Sequence, residues 1–60
     1  MLLEKSSWPT VEAYFAKRDL VVLGFGSTEN HGRHNPLGTD WMAPTLILDL
    51  VNERRPEVLV

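Results

Sequence analysis

Leu20, Val21, Val22 and Leu23 form an unbroken apolar stretch within LVVLGF at positions 20–25. Its β-branched residues and its flanks of Asp19 and Gly24 predict a strand covered on both faces. EVLV at positions 57–60 reads as a second buried strand. With a helical pattern between them, strand, helix and strand over about 40 residues predict a right-handed βαβ crossover with parallel strands. An apolar parallel strand needs neighbours on its edges and layers on its faces, and no other segment of the sequence supplies them. The expected fold class is therefore α/β: an N-terminal helix plus a βαβ unit of a larger three-layer α/β/α domain with a mainly parallel sheet. Residues 1–60 are expected to be the N-terminal part of that single domain, with the rest of it absent.

SSWPTVEAYFAKRD predicts the first helix. Ser7 or Trp8 stands near its N-cap, Pro9 in its first turn, and Val11, Tyr14 and Phe15 follow helical spacing. APTLILDLVNERR predicts a second helix ending before Pro56, with Ala43, Leu46, Ile47, Leu50 and Val51 on one face and Asp49, Asn52 and Glu53 opposite. Its start is open, because Pro44 suits a first turn, whereas a helix already running from Asp40 would have to accommodate it.

A chain of sixty residues buries only about 60% of its unfolded surface, so its stability is marginal. Disulfides are excluded by the absence of cysteine, which leaves metals or partner chains as stabilisers. The net charge is −2 and the six Lys and Arg are scattered, so no basic stripe for nucleic acid is present. No stretch resembles a signal peptide or reaches the ~20 apolar residues of a membrane helix. These features predict a soluble, cytoplasmic protein with neither nucleic-acid nor membrane partners.

The loop GSTENHGRHNPLGTD, positions 26–40, collects the metal-ligating side chains. Glu29 and His31 are two apart, so in extended backbone they point to the same side, whereas on a helix they diverge by about 200°. The pair leaves the C-terminal end of the first predicted strand, where ligands gather in parallel α/β sheets. Gly32, Pro36 and Gly38 let the chain fold back, so Asp40 can return near them. Two carboxylates and an imidazole suit zinc, manganese or iron. Taken alone, the E-x-H pair and later Asp also fit a solvated polar loop.

The full string resembles the creatininase family of creatinine amidohydrolase-like metalloenzymes. Their glycine-serine, E-x-H-G-x-H and terminal Thr-Asp correspond here to Gly26-Ser27, Glu29-Asn30-His31-Gly32-Arg33-His34 and Thr39-Asp40, with Pro36 between. The resemblance implies a hydrolase with two divalent metal ions (zinc, manganese or iron), Glu29 ligating one, His31 the other and Asp40 bridging both. A metal-bound hydroxide would then hydrolyse a C–N amide bond in a small molecule such as a cyclic amide or formamide, with no protein nucleophile. His34 would lie in support, through a hydrogen bond that orients a ligand. The family also implies a homo-oligomer, often a hexamer. Three side chains cannot fill two coordination spheres, so the remaining ligands and the general acid are expected outside positions 1–60, and these residues by themselves are expected to be inactive.

Asn30, Arg33 and Asn35 depart from the family's common glutamine, proline and apolar residue. Arg33 could meet an anionic or polyhydroxylated substrate, or be a solvated surface arginine. The alternative functions are opening of a cyclic keto-inositol or sugar-like ring, and a non-catalytic metal-binding or assembly module. LGFGST follows the first predicted strand as a dinucleotide loop would, but Glu29 replaces its third glycine and would repel a pyrophosphate. Ser27 lacks the surroundings of a nucleophile elbow. Trp8 and Trp41 read as packing residues.

Overall fold

The computed structural model describes residues 1–60, which form a short 3-10 turn at Leu3–Lys5 and two helices, α1 at Trp8–Phe15 and α2 at Thr39–Arg54. Extended Ser7 is the N-cap of α1, and its hydroxyl pairs with that of Thr10 at 2.9 Å. Pro9 stands in the first turn, where its missing N–H leaves no helical bond unmade. The longer α2 starts at Gly38 as N-cap, runs through Pro44 and ends before Pro56. Arg55 closes it by donating its backbone N–H to the Val51 carbonyl at 2.7 Å.

No strand forms, which corrects the expected α/β class: the βαβ unit is absent from these residues. The two apolar segments do meet, in parallel, but only through a single bridge between Val21 and Leu59. Val22 donates to the Leu59 carbonyl at 3.0 Å. The complementary position is taken by a side chain: the Tyr14 hydroxyl donates to the Leu20 carbonyl at 2.6 Å and accepts the Leu59 N–H at 3.2 Å. On the other side, Val60 donates to the Met1 carbonyl and accepts from Leu3 N–H, both at 2.8 Å. Segment 58–60 is thus held between positions 20–22 and the N-terminus, too briefly to build a ladder. Apolar sequence supplied the side chains of a strand, but strand pairing needs a run of backbone partners, and beyond Val22 none is in reach.

Leu59 is the one fully buried residue. The radius of gyration is 14.3 Å, against about 10 Å for a compact chain of this length. The face of α2 turned inward carries Pro44, Leu48, Val51 and Asn52, whereas Leu46, Ile47 and Leu50 of the predicted apolar face are 63%, 58% and 42% exposed. Apolar residues surround most of this helix, so periodicity alone did not single out the face that packs. No helix is long and apolar enough to cross a membrane.

Candidate metal centre

Helix α2 crosses the glycine pair that follows the bridge. A Cβ at Gly24 would lie 3.0 Å from Leu48 Cδ1 and 3.1 Å from Pro44 Cβ, and one at Gly26 would lie 2.5 Å from the backbone carbonyl carbon and oxygen of Asp40. These glycines let extended backbone lie against the first turns of α2. They serve helix packing, which answers why a G-x-G stands there without a nucleotide site. Pro44 has no N–H, so the Asp40 carbonyl four residues earlier has no helical donor there, and Gly26 lies against it.

The loop is closed at its base by the Glu29 N–H donating to the Leu37 carbonyl at 2.9 Å. Thr39 bonds the Pro36 carbonyl through both its N–H, at 3.2 Å, and its hydroxyl, at 2.6 Å. This turn feeds directly into α2, so Asp40 sits in the first helical turn, where a carboxylate is favoured by the helix dipole. The Trp41 indole packs on Gly38 so closely that a Cβ there would overlap the ring. Between these anchors Gly32 adopts the left-handed conformation, φ 87°. Asn30 Oδ1 accepts the Gly32 N–H, and Asn35 Nδ2 donates to the His31 carbonyl, each at 2.9 Å.

Glu29, His31 and Asp40 converge: one ligand atom from each lies within 4.8 Å of the others. His31 is fixed at both ring nitrogens. Nδ1 meets the Glu29 carbonyl at 2.8 Å, and Nε2 meets Asp40 Oδ1 at 2.6 Å. The His31 side chain is 18% exposed and the Asp40 side chain 41%. The Glu29 backbone carbonyl, then the Asp40 hydrogen bond, raise the His31 pKa above its ordinary value. Nearby negative charge adds to this, and desolvation opposes it. With an acceptor at each nitrogen the imidazolium is favoured, its Nε2 proton lying between ring and carboxylate.

This donor set fits a divalent cation. It offers an imidazole and two carboxylates without thiolate. The Nδ1–H bond to a backbone carbonyl selects the tautomer that leaves Nε2 as ligand, an arrangement usual for metal-bound histidine. Metal would replace the Nε2 proton.

Arg33 and His34 are exposed and lie outside this group. The contact that steadies the His31 backbone comes from Asn35, at a position where the family pattern has an apolar residue. An asparagine directly before Pro36, in a loop that also holds Gly32 and Gly38, was the available turn signal. Ser27 and Thr28 are exposed as well.

A sequence model of the family described as Creatininase, creatinine amidohydrolase, matches residues 4–60. No match is found among curated proteins or among solved structures.

Proposed function

The chain belongs to the creatininase family, and on that premise we propose that Glu29, His31 and Asp40 are ligands of a metal-dependent amidohydrolase. The observation that carries this reading is the convergence of their ligand atoms within 4.8 Å, from positions up to eleven residues apart. We further read the chain as the N-terminal part of a larger domain of that family. The support is the exposure of its large apolar side chains, with Trp8 75% and Phe25 82% exposed while only Leu59 is buried.

Divalent ions, zinc, manganese or iron and two in number, are the proposed cofactor, and Glu29, His31 and Asp40 would help hold them. Divalent cations in such a site supply Lewis acidity, which acidifies water and stabilises negative charge on a carbonyl oxygen. The chain's own groups prepare the place. The Glu29 carbonyl holds Nδ1–H and so aims Nε2 at Asp40. Asp40 engages His31 through Oδ1, leaving its other oxygen for a second contact. The Glu29–Leu37 bond keeps both ends of the loop together.

The proposed substrate is a small molecule with a hydrolysable C–N amide bond, and further copies of the chain are the proposed partners. Ring opening of a polyhydroxylated ketone gains less support, since two polar residues beside the ligands are turned into the loop. Asn30 holds the Gly32 N–H and Asn35 the His31 carbonyl.

Titration of the protein with Mn²⁺, followed by paramagnetic broadening of NMR signals, tests the metal reading. Selective broadening at positions 29, 31 and 40, abolished by Asp40→Ala, is expected. Broadening confined to other acidic residues, or unchanged by Asp40→Ala, would overturn it.

A further inference from the structure

We propose that Asn35 is a positioning residue for the metal centre, acting through the His31 backbone; this rests on the metal reading above. His31 is held at its ring by Glu29 and Asp40, but a ring so gripped can be displaced with its backbone unless the main chain is fixed as well. Positions 30–36 make no backbone hydrogen bond that spans the loop other than those at its base, Glu29 to Leu37 and Thr39 to Pro36. The peptide after His31 enters left-handed Gly32, where the backbone is least constrained. The bond from Asn35 Nδ2 to the His31 carbonyl, 2.9 Å, spans this glycine and ties the far limb of the loop to the ligand. Asn30 completes the device from the near side, its Oδ1 holding the Gly32 N–H at 2.9 Å. The peptide between His31 and Gly32 is thereby held at both its polar groups, the carbonyl by Asn35 and the N–H by Asn30.

Asn35 is exposed and touches neither carboxylate, so its removal should leave the fold and the ligand set intact while loosening their register. Asn35→Leu removes the amide at similar volume, and Asn35→Gln keeps a donor. The ¹⁵N shifts of the His31 ring in metal-free protein report whether Nε2 and Nδ1 keep their acceptors, and the Mn²⁺ concentration that half-broadens His31 reports affinity. Asn35→Leu is expected to move the ring shifts toward those of a free imidazole and to weaken Mn²⁺ binding roughly three- to tenfold, the effect of one hydrogen bond. Asn35→Gln is expected to restore both in large part, and circular dichroism should show equal helix content throughout. Unchanged ring shifts in Asn35→Leu would overturn the proposal, as would equal losses in the Leu and Gln variants. Wild-type protein that binds no Mn²⁺ would remove the metal reading, whereas a ring shift specific to Asn35→Leu would still establish the positioning role.

Discussion

Gly26 lies against the backbone carbonyl of Asp40 so closely that a single added carbon would sit 2.5 Å from it. The contact sets the depth at which the first turn of α2 meets the extended segment, and so the point to which the Asp40 carboxylate returns. Gly26→Ala must push the two apart. Its expected cost is about 1–3 kcal/mol of stability, in line with overpacking, together with weaker metal binding. Thermal melting and Mn²⁺ titration of the variant check this, and an unaltered melting curve would remove Gly26 from this role.

Asp40→Asn keeps the shape of the side chain and removes its charge. The His31 pKa should fall back toward its ordinary value, because the hydrogen bond and the negative charge of Asp40 both raise it. The Glu29 carbonyl, the largest cause, remains, so the return should be partial. An NMR titration of the His31 ring in both proteins measures the difference.

The pH dependence has two opposite arms. His31 has a raised pKa in the folded chain, so the stability from its ion pair is fully present below the ordinary value near 6.5 and is lost as pH climbs through the raised folded value. Metal affinity should move the other way, since Nε2 must lose its proton before it can ligate. Unfolding curves and metal titrations over the same pH series should therefore show opposite slopes. Metal binding that weakens with rising pH would contradict Nε2 ligation.

Tyr14→Phe removes the hydroxyl that stands between the Leu20 carbonyl and the Leu59 N–H. A loss of about 0.5–1.5 kcal/mol is expected. Hydrogen exchange at the Leu59 amide should quicken selectively, because the one fully buried residue then loses the acceptor of its N–H. Equal exchange in both proteins would mean that Leu20 takes over as acceptor and closes the bridge directly.

Added Zn²⁺ or Mn²⁺ should raise the melting temperature, the stabilisation growing with the logarithm of metal concentration and reaching about 2.7 kcal/mol at one hundred times the dissociation constant. A chelator should reverse the gain, and the Asp40→Ala protein should show none. Differential scanning at several metal concentrations makes the measurement.

Local chemistry alone determined the two helices and the folded-back loop. Ser7 and Pro9 start α1, Pro56 follows the end of α2, and glycine at 32 and 38 with proline at 36 turns the chain back toward Glu29 and His31. These are short-range effects of capping, φ preference and missing donors, legible wherever the residues occur. Tertiary contacts decided the rest. Residues 20–25 are apolar enough for a strand, yet pairing requires backbone groups from elsewhere, and with only Leu59 opposite Val21 and a tyrosine hydroxyl between the two segments it stops at one bridge. The inward face of α2 was likewise set by where Gly24 and Gly26 allow it to approach, at Pro44, Leu48 and the Asp40 carbonyl. Asn35 shows the same division within the loop: its sequence position says turn, and only the closed backbone brings its amide to the His31 carbonyl.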